Sequence, residues 1–305
     1  MWAHRHLISI DDLSVDEITH LLDTADTLST SAPTQIRNRL TGKTVATLFF
    51  EPSTRTRVSF ELAAKRLGAD VVDVSAATSS ATKGETLIDT AKNLEAMGVD
   101  AFVVRHSSSG SAKFLSENVR ASVLNAGDGT HEHPTQALLD ALTIRHHKKS
   151  LKGLVVAILG DIAHSRVARS NALLLGKFGS EVRFAAPQTL MPAHAEALGA
   201  TVRICARAEE AVQGADVVMA LRIQKERIAG AVLASAKETL ATFGVTRDLV
   251  ALAKKDAIVM HPGPMNRGVE IASDVADGAQ SVILEQVTNG VAARMAALSL
   301  VLEAK

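Results

Sequence analysis

The feature that most narrows the fold is a rhythm. Short runs of valine, isoleucine, leucine and alanine, such as VATLFF (45–50) and VVAIL (155–159), alternate along the chain with stretches of helical period. Strands that read as near-continuous apolar runs are covered on both faces, and parallel neighbours need a long crossover that a helix supplies. The pattern predicts strands near 45–50, 71–74, 101–105 and 122–125, with helices near 14–28, 54–67, 86–97, 111–118 and 134–148. Ser14 and Glu17 have the spacing of a capping box at the first of these helices. The rhythm then restarts, with strands near 154–159, 181–186, 201–205, 216–220 and 257–261 and helices near 165–178, 191–198, 207–213 and 290–303. Residues 223–247 read as a mobile loop with a short helix. The expected fold class is α/β, two doubly wound parallel-sheet lobes with an active-site cleft between them. The lobes are expected at 1–134 and 135–289, with the last helix, within 290–305, packing back on the first. A chain of 305 residues is long enough to give each lobe its own core.

Open parallel sheets bind ligands beyond the carboxyl ends of their strands. The segments that follow the predicted strands are EPSTRTR, SAATSSATKGET, Arg105-His106 and NAGDGTHEHPTQ in the first half. In the second half they include Gly160 to Arg166, Leu221 to Gln224 and His261-Pro262-Gly263-Pro264. The polar, chemistry-bearing residues therefore collect on one edge. Glycine follows strand 154–159, but the G-x-G-x-x-G fingerprint of a dinucleotide fold is absent, since Asp161, Ile162 and Ala163 come next.

Two readings of EPSTRTR compete. Ser53 or Thr54 can cap the helix that starts there. Capping leaves Thr56, Arg55 and Arg57 unexplained, because arginine at a helix N-terminus faces the positive end of the dipole. A multiply charged anion resolves that conflict, as backbone N–H groups, hydroxyls and guanidinium would all point at its oxygens. In the second half Arg166 and Arg222 suit bidentate recognition of carboxylates, with surface salt bridges as the alternative.

Charge and composition exclude several function classes. Lysine plus arginine and aspartate plus glutamate both total 33, so no global basic field exists for nucleic acid or an anionic membrane. Tyrosine is absent and aromatic residues make up 3%, which leaves little for base stacking. The single cysteine, Cys205, excludes a disulfide framework or a cysteine metal cluster. The N-terminal MWAHRHLISIDDLS has no apolar segment of signal-peptide length, and a soluble cytoplasmic protein is expected.

The stretches STRTR (53–57), KGET (83–86), HPTQ (133–136), LRIQKER (221–227) and HPGP (261–264) occur in this order over essentially the whole chain. Together they resemble the transcarbamoylases, and within them the catalytic chains of the aspartate transcarbamoylase family. HPGP stands where ornithine enzymes usually carry a cysteine-containing HCLP. The resemblance implies carbamoyl transfer from carbamoyl phosphate to L-aspartate, a step of de novo pyrimidine biosynthesis, with no metal or organic cofactor. It implies a carbamoyl phosphate-binding first lobe and an aspartate-binding second lobe. Ser53, Thr54, Arg55 and Thr56 would hold the phosphate; Thr56, Arg105 and His133 would contact the carbamoyl oxygen, and Gln136 its amino group. Arg166, Arg222 and Gln224 would bind aspartate, with Gly263 and Pro264 contributing substrate contacts. Ser79 and Lys83 would reach into a neighbouring subunit's site within a homotrimer. Glu51 and Arg227 would bridge the lobes on closure. A regulatory chain or dihydroorotase is a possible further partner. The alternatives are an ornithine transcarbamoylase and a noncatalytic relative that senses a phosphorylated metabolite. The chain departs from some relatives at Gly263 and over residues 107–111.

Overall fold

The structure, a computed structural model, describes residues 2–75, 85–199, 201–224 and 235–304. The chain forms two compact units, Met1–Leu139 with Val287–Lys305, and Asp140–Gln286.

The first unit begins with α1 (Val15–Thr30) and α2 (Pro33–Ile36), followed by β1 (Thr44–Phe49), α3 (Thr54–Arg66), β2 (Asp70–Ser75) and α4 (Leu87–Ala96). Next come β3 (Ala101–His106), α5 (Ser111–Ser116), β4 (Ser122–Asp128) and α6 (Pro134–Lys148), which runs on into the second unit. The strands are parallel in the order β2-β1-β3-β4. The capping box of α1 is formed: the Ser14 hydroxyl accepts from the Glu17 N–H, and the Glu17 carboxylate accepts from the Ser14 N–H at 2.9 Å. Ile18, Leu21, Leu22, Ala25 and Leu28 form its buried stripe at helical spacing. One face of the sheet packs Ala46, Leu48, Phe102, Val104 and Val123 against Ala112 and Leu115 of α5.

The second unit contains β5 (Val155–Gly160), α7 (Arg166–Lys177), β6 (Glu181–Ala185), β7 (Val202–Cys205), α8 (Ala208–Val212) and β8 (Val217–Leu221). It continues through α9 (Ala236–Phe243), α10 (Arg247–Val250), β9 (Ile258–Met260) and α11 (Ser273–Ala276). The strands are parallel in the order β7-β6-β5-β8-β9. Ala157, Leu159, Val218, Ala220 and Val259 form a core with Ala211 and Val212 of α8. The last helix, α12 (Ile283–Glu303), starts in this unit and ends in the first.

Two sequence expectations change. The last helix starts at Ile283 rather than near 290. Gly290 lies inside it, where a Cβ would come within 3.2 Å of the Leu139 side chain and 2.6 Å of Arg294. That glycine marks a close approach of α6, not a helix start. The helix expected at 191–198 is reduced to 3₁₀ turns at Gln188–Leu190 and Ala195–Leu198, because Pro192 withdraws a donor and His194 is left-handed at φ 59°. Of the stretch 223–247, the structure shows α9 and, at its end, the first residue of α10; residues 225–234 lie outside the described residues. Among the described residues no helix is long and apolar enough to cross a membrane.

Candidate active site

Each sheet has one place where the strand order turns back on itself, and the segments after the strands that flank it carry Ser53 to Thr56 and Arg105 in the first sheet and Arg166, Arg222 and Gln224 in the second. In the first sheet the reversal lies between β1 and β3; in the second it lies between β5 and β8. Neighbouring crossovers leave in opposite directions at such points, opening a crevice at the carboxyl ends of the strands.

In the first unit, β1 leads into EPSTRTR and the first turn of α3. Ser53 occupies the N-cap position with extended backbone (φ −161°, ψ 96°), yet its side chain makes no capping hydrogen bond. Elsewhere Ser14, Thr86, Ser165, Ser235 and Thr246 each accept from a backbone N–H one turn into their helices. Capping therefore does not account for STRTR, and the N-terminal donors of α3 keep their affinity for an anion. The two arginines of the motif part company. Arg57 donates to Asp73 Oδ2 at 2.8 Å, while Asp73 Oδ1 accepts from Thr47 at 2.6 Å, so Arg57 fastens α3 to the sheet. Arg55 is exposed in the first turn, and Thr56 is buried beside it.

Arg105 stands at the end of β3, in register with Phe49 of β1. Its Nη2 donates to Glu51 Oε1 at 2.6 Å and its Nη1 to the Ala126 carbonyl at 3.3 Å. Glu51 was expected to pair with Arg227 on closure; here it meets Arg105, and Arg227 lies outside the described residues. His106, next along, packs its ring against Phe50, and burial lowers its pKa despite Glu51 and Asp128 nearby.

The segment after β4 delivers His133 and Gln136 to the start of α6. The His133 carbonyl accepts from the Gln136 and Ala137 N–H groups at 2.9 and 3.3 Å, and its side chain is buried with that of Gln136. Two buried carboxylates shape the approach. Asp128 accepts from Asn125 Nδ2 at 2.8 Å, the Gly110 N–H at 2.6 Å and the Glu132 N–H at 3.2 Å, with His131 Nδ1 at 3.1 Å. Burial alone would raise the Asp128 pKa, but the hydrogen bonds from His131, Asn125 and Gly110 hold it below the usual range. Glu132 accepts from the Ser9 hydroxyl and from the Ile10 N–H at 3.0 Å, tying the turn to the N-terminal segment. Sequence reading missed both carboxylates. The available signal was a pair of acids in NAGDGTHEHPTQ, a segment flanked by buried elements where an acid needs partners.

In the second unit, Gly160 ends β5 at φ 121°, and a Cβ there would lie 2.3 Å from the Leu221 carbonyl oxygen. Only glycine allows β5 and β8 to approach so closely. Asp161, fully buried, then joins the two strand ends: Oδ1 accepts from the His164 N–H at 3.1 Å and meets His164 Nδ1 at 2.8 Å, while Oδ2 accepts from the Gln224 N–H at 3.1 Å. Gln224 also donates from Nε2 to the His164 carbonyl at 2.9 Å. Arg166 opens α7 with its side chain buried, behind Ser165, whose hydroxyl caps the Ala168 N–H at 3.1 Å. Arg222 follows β8 directly. Asp161 and His164 were quoted in the sequence without a role; their role is to place Gln224 beside the start of α7.

HPGP follows β9, the edge strand. His261 Nδ1 accepts from the Gly263 N–H at 2.8 Å and shapes that turn. Ser79 and Lys83 lie outside the described residues. Among the described residues no group of three or more His, Cys, Asp or Glu side chains is arranged to hold a metal ion.

Residues 5–146 match the family model described as aspartate/ornithine carbamoyltransferase, carbamoyl-P binding domain, and residues 152–301 match its Asp/Orn binding domain. The aspartate carbamoyltransferase catalytic subunit of Sorangium cellulosum is 60% identical over 300 residues, covering 98% of this chain and 93% of that protein. The crystal structure of Trypanosoma cruzi aspartate transcarbamoylase in complex with N-(phosphonacetyl)-L-aspartic acid is 33% identical, with a TM-score of 0.88 over 98% of this chain and 96% of that one. Ornithine carbamoyltransferase from Pyrococcus furiosus is also 33% identical, with a TM-score of 0.87 over 99% of this chain and 98% of that one. With matches to both domain models and this identity over nearly its full length, the chain belongs to the aspartate/ornithine carbamoyltransferase family.

Proposed function

We propose that the chain transfers the carbamoyl group of carbamoyl phosphate to the amine of L-aspartate, giving N-carbamoyl-L-aspartate and phosphate in pyrimidine biosynthesis. The observation that carries the reading is the 60% identity to an aspartate carbamoyltransferase catalytic subunit. The residue sets at both strand-order reversals fit it: hydroxyls, N-terminal donors and Arg55 for a phosphate in one unit, Arg166, Arg222 and Gln224 for a dicarboxylate in the other. The fold alone does not choose between aspartate and ornithine, since both kinds of enzyme superpose equally well.

In this reading Ser53, Thr54, Arg55 and Thr56 hold the phosphate. The amine nitrogen attacks the carbamoyl carbon, the carbon–oxygen bond to phosphate breaks, and phosphate leaves with the bonding pair and accepts the amine's proton. Negative charge that develops on the carbamoyl oxygen is met by Thr56, Arg105 and His133, each prepositioned donor lowering the barrier by about 3–4 kcal/mol. Gln136 orients the amino group, and Gly263 and Pro264 complete the substrate contacts. Glu51 and Arg227 act in closure of the two lobes.

A homotrimer with shared sites, in which Ser79 and Lys83 come from the neighbour, is part of the proposal. A groove of about 520 Å³ in the first unit, lined by Leu62 and the buried Leu28, Ile36 and Met295 with Lys65 and Arg66 alongside, is the surface the proposal gives to a second copy. Leu62 is 41% exposed on α3, an apolar surface that a second copy would cover. The cytoplasm is the proposed compartment; the buried Cys205 thiol, its pKa raised by burial, suits a reducing setting.

The test is phosphate release from carbamoyl phosphate by the purified chain, with aspartate and ornithine supplied in parallel. Aspartate-dependent release with carbamoyl aspartate as product is expected. Ornithine dependence would reassign Arg222, Gln224 and HPGP, and silence with both would move the chain to a noncatalytic role.

A further inference from the structure

A chain of buried polar side chains runs through the second unit behind the residues assigned to substrate. Asn171 of α7, Asp140 of α6, Gln286 of α12 and His261 at the end of β9 are all buried. Asn171 Nδ2 donates to Asp140 Oδ2 at 2.9 Å, and Gln286 Nε2 donates to Asp140 Oδ1 at 2.8 Å. Gln286 Oε1 accepts from the His261 N–H at 2.9 Å. Beyond it, His261 Nδ1 accepts from Gly263 N–H, so Nε2 carries the proton and faces Glu270 Oε1 at 3.2 Å.

The polarity of this chain admits one arrangement. The Asp140 carboxylate only accepts, so both amides must present their NH₂ groups to it. The Gln286 oxygen is then left pointing at the His261 N–H. A buried carboxylate is costly unless hydrogen bonds satisfy it, and apolar residues of similar volume would hold the helices together as well. What the apolar alternative would not supply is register, because hydrophobic contact is non-directional whereas these bonds are not.

The register concerns three substrate-holding parts. Asn171 lies on α7, which opens with Arg166, and Gln286 fixes the residue at which HPGP begins. Asp140 follows Gln136 by four positions, so the two share one face of α6. The chain also crosses between units inside α6 and inside α12, at the residues next to this node.

We infer that Asp140, Gln286 and Asn171 are positioning residues for the aspartate half of the reaction: they lock the start of α7 and the HPGP turn to α6. The inference rests on the carbamoyl-transfer reading.

The test is steady-state kinetics on Gln286→Glu, Asp140→Asn/Gln286→Glu and the unaltered enzyme, with carbamoyl phosphate affinity measured by calorimetry. Gln286→Glu sets two carboxylates against each other. The double variant restores the hydrogen bonds from Asn171 to residue 140, between residues 140 and 286, and from the His261 N–H to residue 286, with the charge moved one residue along the chain. Gln286→Glu is expected to raise the aspartate KM about tenfold or more while carbamoyl phosphate affinity stays within about twofold, and the double variant is expected to recover most of that loss. An unchanged aspartate KM, equal losses for both substrates, or a double variant as poor as the single would overturn the inference. If Gln286→Glu does not fold, Gln286→Met is read against the same KM and affinity criteria. An unaltered enzyme that makes no carbamoyl aspartate would reject the functional reading instead, so the two failures are distinct.

Discussion

Arg105 is held in an ion pair that the proposed chemistry must rearrange. Its Nη2 lies 2.6 Å from Glu51, and both side chains are mostly shielded from water. A guanidinium committed to Glu51 has fewer donors for a carbamoyl oxygen, so substrate and Glu51 compete for it. Arg105→Ala should lower kcat by about 10²–10³, the range for losing one donor to a developing oxyanion. Glu51→Ala should lower turnover and raise the aspartate KM by about tenfold while carbamoyl phosphate affinity changes less; aspartate saturation curves decide this, and an unchanged KM rejects the role. Asp128 offers a pH test. Its folded pKa is depressed, so its contribution to stability is full above the unfolded value near 3.9 and is lost as pH falls through the lower folded value. The gap in melting temperature between the unaltered protein and Asp128→Ala should narrow as pH falls below the unfolded carboxylate's value of about 3.9. A gap independent of pH into that range rejects the assignment. His133 was singled out in the sequence because the motif HPTQ carries it, and Arg105 because it follows a predicted strand. Glu132 was not, because its partners, Ser9 and Ile10, lie more than a hundred residues away; Asp128 was not, because its partners are near in sequence but its role depends on burial, which a polar segment does not announce.

At the scale of elements, the carboxyl ends of β5 and β8 are set by a single glycine. Gly160 combines a φ of 121° with a neighbour, the Leu221 carbonyl oxygen, 2.3 Å from where a Cβ would sit. The obstacle is backbone in a buried parallel pair, so it cannot swing aside. Gly160→Ala should destabilise the protein by about 3 kcal/mol or more, since left-handed strain and a backbone clash add at one residue. Urea unfolding measures it; a loss under about 0.5 kcal/mol would show that the strand ends can separate at little cost. Strands and crossover helices were readable because buried parallel strands are apolar throughout and helices carry their own period. Gly160 was readable only as a glycine after a strand. Gly290 is the converse case: it lies inside a helix and admits a neighbouring one, a role that a glycine does not announce in sequence. Pro192 and His194 cut short a helix whose apolar spacing had suggested more.

For the whole molecule, the open question is whether one chain carries a complete site. His133 lies in the described first unit, whereas Lys83, outside the described residues, would serve a neighbour in the proposed trimer. Two variants, His133→Ala and Lys83→Ala, should each be nearly inactive alone. If every site draws His133 from one chain and Lys83 from the next, a ring containing both variants holds one interface where both residues are intact. Random reassembly of an equal mixture gives each site a chance of one half for the correct first chain and one half for the correct second. Activity should therefore rise to about a quarter of the unaltered enzyme's after dissociation and reassociation. If each chain held its own complete site, no rearrangement of the two variants would create an intact one, and the mixture would stay as inactive as its parts. Recovery of activity in step with trimer reformation, followed by sedimentation, separates the shared site from a slow chemical reversal, because only the former depends on protein concentration.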